Sequence, residues 1–309
     1  MLYKFNFYTL VPLVGILFNL LACGDDTSSG PEGISVKYRV DSIDNLEKCT
    51  QELENERAYT EKDSSWRICK SFKVDSLVEW GWEIHINING ELYPYGYAPA
   101  GTYDCNIYDC VTTQYLNPSI TYGEYLDRRD NKVYKTVYIG DQLWMAQNLA
   151  YTPDNGIFAE ANSHDLDSTK KGYYYKAGNY CPVGWAPPTK DDFTKLVQFT
   201  GDTTLNALKS ANDKWENSDT LTNPFGFSLV KTMNMNYYSD ELYEELDGLV
   251  SKWSANGSGA YLWLNNSEVN AWWHLEVNEY AQNYDYYTVY TAKTYNTIRC
   301  MISNYFLFN

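Results

Sequence analysis

The sequence predicts an α+β protein in two parts: a small β module stapled by a disulfide, then a larger domain of strands with one or two short helices. Three observations point there. Short runs in the first part alternate apolar and polar residues; a capped helical stretch sits mid-chain with strands before and after it. The cysteines also form an even set once the first is set aside.

The N-terminus comes first. Met1 to Phe7 carries one cation, Lys4, and Tyr8 to Ala22 is uncharged and mostly apolar. That run is shorter than the roughly 20 residues a spanning helix needs. A basic start, an apolar middle and a small residue before a cut make a secretory signal, predicted over residues 1–22. Leu20-Leu21-Ala22-Cys23 resembles the lipobox of bacterial lipoproteins, so Cys23 is the expected lipidated N-terminus. The alternative is an ordinary signal peptide with an incidental cysteine. Residues 23–35 hold the Gly-, Ser- and acid-rich stretch Gly24 to Gly33, which suits a flexible tether. Gly24 after Cys23 resembles outer-membrane sorting, so the expected address is the outer membrane or cell surface, with the membrane met through the lipid.

Charge excludes one class of partner. The chain has 24 basic and 40 acidic side chains, a formal −16, and losing Lys4 with the signal would make it −17. With no basic stripe to release counterions, nucleic acid is not an expected partner.

Apart from Cys23 the cysteines are Cys49, Cys69, Cys105, Cys110, Cys181 and Cys300. In an exported chain they read as disulfides. Six cysteines allow fifteen pairings and sequence cannot choose among them, although locality suggests Cys49–Cys69, Cys105–Cys110 and Cys181–Cys300. A zinc site is not expected, because no CxxC spacing occurs and His85, His164 and His274 are scattered.

Residues 36–92 form the small module. Val36 to Val40, Ser65 to Cys69 and Trp80 to Ile86 read as strands of a meander too small for a sufficient core, which gives a Cys49–Cys69 bridge its purpose. Residues 93–121 are turn-rich and read as a connector stiffened by Cys105–Cys110.

The second domain is expected over residues 122–309. Tyr134 to Gly140 reads as a strand, Gly140-Asp141 as its turn and Leu143 to Tyr151 as its hairpin partner. Thr189 to Gly201 is the clearest helix: Thr189 caps it, Asp191 and Asp192 suit its first turn, Phe193, Leu196 and Val197 make the buried stripe, and Gly201 stops it. A second short helix is predicted over Asp202 to Ser210, with Leu205 and Leu208 inward. Strands resume at Gly226 to Val230, Ala260 to Leu264, Tyr284 to Thr291 and Thr297 to Ile302.

Several blocks then match a known family in order. Tyr122-Gly123, Asp127-Arg128-Arg129-Asp130, YKTVYIGDQLWMAQNLAY (134–151), CPVGWAPPTKDDF (181–193), TNPFGFSLV (222–230), YLWLNNSE (261–268) and TIRCM (297–301) resemble the Fibrobacter major paralogous domain of surface and secreted lipoproteins. The resemblance implies a C-type-lectin-like, two-sheet α+β domain closed by a Cys181–Cys300 bridge. The Cys49–Cys69 stretch is similar to a small module that recurs in front of this domain. Two departures stand out. The family's tyrosine block runs into an alanine-rich helix, whereas here Tyr173 to Tyr180 runs straight into Cys181, so that helix is expected to be truncated or lost. In place of the family's Trp-Ser-Ser, this chain has Trp263-Leu264-Asn265-Asn266-Ser267-Glu268.

Function is weighed between three classes. A non-catalytic surface module binding polysaccharide or another surface protein draws on 30 Tyr and 10 Trp. The expected ligand surface is Trp272, Trp273, Tyr284, Tyr286 and Tyr290 with Asn265, Asn266 and Glu268, because sugars stack on exposed rings. The competing expectation is that these rings simply pack a β-rich core. A structural or adhesion protein of the outer surface, without a small-molecule site, is the second class. Catalysis is the third and is not expected, since the adjacent pairs Asp191-Asp192 and Glu244-Glu245 cannot face each other across a bond. The lectin-like fold implied by the resemblance also houses sulfatase-modifying oxidases, but these need paired reactive cysteines, and here each has a structural partner at hand. No cofactor or metal is expected. No EF-hand loop and no Glu-Pro-Asn or Trp-Asn-Asp triplet occurs, and the acidic loops read as solvated.

Overall fold

The computed structural model describes residues 28–74, 77–153, 158–159, 171–216, 218–237, 253–266, 271–278, 284–289 and 294–302. The signal segment 1–22, Cys23, Glu268 and Tyr290 lie outside these residues. The described chain is mostly β-sheet with one α-helix and three disulfides, Cys49–Cys69, Cys105–Cys110 and Cys181–Cys300.

Strands β1 (Ser28–Ser29) and β2 (Ser35–Val36) form a short ribbon ahead of the N-terminal meander. The meander comprises β3 (Tyr38–Val40), β4 (Arg57–Thr60), β5 (Ser65–Val74), β6 (Leu77–Ile88) and β7 (Glu91–Pro94), hydrogen-bonded in that order. The β3–β4 pair is parallel and the others are antiparallel. Each face of this sheet covers its own small cluster. Cys49, Leu53, Ala58, Cys69 and Trp82 pack on one side, and Tyr59 and Trp66 pack with Ile34 and Val36 on the other. The Cys49–Cys69 bridge lies inside the first cluster.

The connector is less free than expected. Its strand β8 (Asp109–Cys110), which includes a bridged cysteine, pairs in parallel with β10 (Lys132–Ile139), and β9 (Gly123–Asp127) pairs antiparallel with the same strand. The β10 strand turns back through Gly140 into β11 (Gln142–Met145). Gly140 has φ 64°, and a Cβ there would meet the Phe199 ring 2.9 Å away, so this position needs glycine for both conformation and space. The short strands β12 (Phe158–Ala159) and β13 (Tyr174–Tyr175) pair with each other.

Helix α1 (Lys190–Thr200) forms where expected. Thr189 Oγ1 accepts from Asp192 N at 3.1 Å while Asp192 Oδ2 accepts from Thr189 N at 2.9 Å, a reciprocal cap. Gly201, at φ 67°, stops the helix, and Phe193, Leu196 and Val197 are buried. Beyond it a five-stranded sheet runs β17-β16-β15-β14-β18. These are β14 (Thr232–Tyr237), β15 (Trp253–Asn266), β16 (Ala271–Asn278), β17 (Tyr284–Val289) and β18 (Thr294–Tyr295). The last described strand, β19 (Met301–Ile302), returns to pair with β11. The largest buried cluster lies between that pairing, the helix and the long sheet, with Trp144, Phe193, Phe227, Leu262, Leu275 and Met301 at its centre.

Two expected elements are replaced by side-chain-directed loops. Asp202 to Ser210 is a series of turns rather than a second helix: Asp202 carboxylate oxygens accept from the backbone of Thr204 and Ala207, and Leu205 takes φ 59°. Leu205 and Leu208 are nonetheless fully buried. Gly226 to Val230 is not a strand but meets Lys209 through a single bridge at Leu229, because Asn223 Oδ1 and Nδ2 bond the backbone and hydroxyl of Ser228 and hold it at φ 57°. Local side-chain bonds of this kind compete with ladder formation. The expected strand from Thr297 shrinks to β19, preceded by isolated bridges, and the strand from Tyr284 is described as far as Val289.

Candidate functional site

The aromatic stretch singled out by sequence does not form one surface. Register pairs Leu264 with Trp273, Leu275 with Tyr286 and Val277 with Tyr284. Trp273, Tyr284 and Tyr286 therefore share the core-facing side of the sheet with Leu275 and Val277, and lie half-buried at its rim. Lys190, at the start of α1, sets its ammonium 5.3 Å from the Trp273 ring and 4.9 Å from the Tyr286 ring. The Tyr286 hydroxyl is pushed up to about 12, mainly by burial. Trp272 and Asn265 pair across the opposite face, where His274 and the half-exposed Tyr287 also lie. Asn265 donates its backbone N–H to Pro188 at 2.8 Å, and Asn266 ends β15. Tyr295 is buried on β18. Trp144 and Trp185 are buried, as their blocks suggest.

A concave site lies elsewhere. A cleft of about 650 Å³ opens between the meander and the second domain, within the size range of small-ligand sites. Its walls come from Pro31 and Glu32, from Tyr59, from the β4–β5 turn at Asp63 to Arg67, from β6 at Ile84 to Asn87, and from Tyr95, Arg128 and Val183. Tyr59 and Trp66 meet edge to face at 5.0 Å, an arrangement fixed by their cross-strand pairing. Tyr95 bridges to the second domain, donating its hydroxyl to Val183 O at 2.7 Å.

The charged groups of the cleft are mostly committed. Arg67 is buried and reaches Asp63 Oδ2 at 2.9 Å. Partial burial pushes the Asp63 carboxyl up, but hydrogen bonds from Thr60 and Arg67 and the guanidinium charge outweigh it and hold it below its ordinary value. Glu32 accepts a hydrogen bond from Asn87. His85 is buried, with Nε2 2.8 Å from Glu83 Oε2 and Nδ1 without a hydrogen-bond partner among the described residues. No group of three or more His, Cys, Asp or Glu among the described residues is placed to hold a metal ion.

Sequence reasoning missed this cleft because its walls are contributed by positions from Pro31 to Val183. The nearest signal was the Asp127-Arg128-Arg129-Asp130 block, whose second arginine is anchored while the first lines the cleft.

The Fibrobacter succinogenes major domain family matches residues 137–301. No curated protein and no solved structure matches the chain. The matched span covers more than half of the 309 residues and takes in the end of β10 with its turn into β11, the capped helix and the Cys181–Cys300 bridge. This chain belongs to the Fibrobacter succinogenes major domain family.

Proposed function

We propose that the protein is a lipid-anchored, non-catalytic binding module of the outer membrane or cell surface, and that its ligand is a saccharide chain. The cleft between meander and second domain carries this proposal. Trp66, Tyr59 and Tyr95 give it ring walls, and Ser64, Ser65, Asn87 and Arg128 give it hydroxyl, amide and guanidinium groups. Sugars offer apolar ring faces and a rim of hydroxyls, and this mixture suits both. Absence of catalysis is favoured by Asp63, whose carboxylate is already held by Thr60 and Arg67. The finer C-type-lectin-like fold is part of the same proposal; it is supported by one helix packed against the long sheet and by a bridge tying Cys181 to the end of the chain. Lipidation at Cys23 rests on the Leu20-Leu21-Ala22-Cys23 box, and the outer-surface location on Gly24 after it.

The test is a glycan and polysaccharide array probed with the full chain carrying Cys23→Ser. That substitution should also abolish fatty-acid labelling and release the protein from the membrane fraction. Binding to a saccharide class is expected, with loss in Tyr95→Ala, a half-buried position whose replacement can be checked by circular dichroism. An empty array, or binding that survives Tyr95→Ala in a folded variant, would overturn the cleft as a saccharide site and favour a structural or adhesive role.

A further inference from the structure

The charges inside the cleft do not cancel in kind. Its lining holds two acids, Glu32 and Asp63, and two guanidinium groups, Arg67 and Arg128. Asp63 is taken by Arg67 at 2.9 Å, and Glu32 by Asn87. Arg128 is exposed and forms no ion pair or hydrogen bond among the described residues. Its neighbour has the opposite fate. Arg129 pairs with Asp127 through Nη2 at 2.6 Å, lies 3.8 Å from the centre of the Tyr151 ring and donates to Tyr180 O at 2.8 Å. Arg129 thus fastens the β9–β10 turn to the body of the domain, and Arg128 rides on that fastened turn at the mouth of the cleft.

Resting on the saccharide reading of this cleft, we propose that its ligand is an acidic saccharide, a hexuronic-acid oligosaccharide whose carboxylate is met by Arg128. A guanidinium presents paired N–H donors in a plane that matches a carboxylate in bidentate fashion. His85 also lines the cleft, with Nε2 2.8 Å from Glu83 Oε2 and Nδ1 enclosed within the protein. The ring within reach of a sugar is the half-buried Tyr95, because Trp66 and Tyr59 are each only 6% exposed and pack on one another. The formal −16 of the whole chain does not decide against an anion. At physiological ionic strength charges farther than about 8 Å are largely screened, so the balanced groups of the cleft set the local field.

The experiment is titration calorimetry of the full chain, carrying Cys23→Ser, against a panel of hexuronic-acid oligosaccharides and their carboxyl-reduced counterparts. At least one acidic member is expected to bind about tenfold or more tightly than its reduced form, the range of a charge-assisted hydrogen bond. Arg128→Gln should erase that preference and leave the Kd of the reduced sugar unchanged. Arg57→Gln, an exposed arginine outside the cleft, should change neither. Equal binding of acidic and reduced forms, or a preference that survives Arg128→Gln, overturns the acidic ligand while leaving the saccharide site standing. If no member binds in either form, this inference falls; the saccharide reading falls with it only if the glycan array is empty as well.

Discussion

The meander and the matched domain solve the same problem at different scales. The β3–β7 sheet covers two small clusters, one centred on Trp82 and the Cys49–Cys69 bridge, the other on Tyr59 and Trp66. The region from Val137 to Met301 instead carries two larger clusters: in one Trp144 meets Phe227 edge to face at 5.2 Å and the helix contributes three buried side chains, and the other gathers Trp185, Trp263 and the bridged Cys300. Small units bury a smaller share of their surface, so covalent closure counts for more in them. The difference teaches that similar bridges in one chain need not do similar jobs.

Removing the bridges is the largest way to break that comparison. Cys181 and Cys300 stand 119 residues apart and Cys49 and Cys69 stand 20 apart. Chain entropy assigns about 5 kcal/mol to the long loop and about 3 kcal/mol to the short one. By loop length alone the long bridge matters more. By core size the order of consequences reverses: Cys181→Ala with Cys300→Ala should lower the urea midpoint of a domain that still folds cooperatively. Cys49→Ala with Cys69→Ala should strip hydrogen-exchange protection from β4, β5 and β6. Protection persisting there in the second variant would show that the meander's clusters suffice without a staple.

The same contrast of scale explains what could be read in the sequence. The β10–β11 hairpin and the capped helix announce themselves through neighbours in sequence, Gly140-Asp141 for one and Thr189 with Asp192 for the other. The three bridges follow from proximity along the chain or from the family blocks. Asp202 to Ser210 has helical spacing at Leu205 and Leu208, and both side chains are buried, but the Asp202 carboxylate captures the backbone first. Asn223 does likewise to Ser228. Such captures depend on side-chain geometry that a periodicity count does not contain. Ring density singles out Trp272 to Tyr295, and strand alternation divides the described rings of that stretch between two faces, leaving Trp273, Tyr284 and Tyr286 half-buried on one and Trp272 and Tyr287 on the other. The cleft needs two separate units brought together, and no local pattern encodes that.

A pH experiment sharpens the comparison next. His274 lies on β16 with Tyr261 at 5.2 Å, Tyr287 at 6.0 Å and Trp263 at 6.4 Å between ring centres. Burial depresses its folded-state value to about 4 from 6.5. Above pH 6.5 the ring is neutral folded and unfolded, and contributes nothing to pH dependence. As pH falls from 6.5 toward 4 the unfolded chain takes up a proton that the folded one resists, so stability drops, by up to about 3 kcal/mol, and levels off below 4. His274→Gln should flatten that part of the stability profile measured by urea unfolding. An unchanged slope in the variant would mean that the acid sensitivity of this sheet comes from other groups.

The smallest effect tests the same capping device in both regions. Ser42, in the meander, accepts from Asp44 N at 3.2 Å and caps a single 3₁₀ turn, Ile43–Asn45, with no buried residue. Thr189 caps eleven residues whose inner face, Phe193, Leu196 and Val197, is part of the main core. A cap satisfies backbone N–H groups that would otherwise lack partners, and its loss typically costs about 1 kcal/mol. The cost is felt in full only where the unit it starts must stay in place. Thr189→Ala should therefore lower stability by about 1 kcal/mol, because Gln142 Nε2 also donates to Asp192 O at 2.9 Å and any fraying of the first turn loosens the β10–β11 hairpin as well. Ser42→Ala should cost a few tenths of a kcal/mol, since an exposed turn can open to water without uncovering apolar surface. Chemical denaturation of the two single variants distinguishes them; equal losses would mean that local capping acts the same way whether or not a core stands behind it.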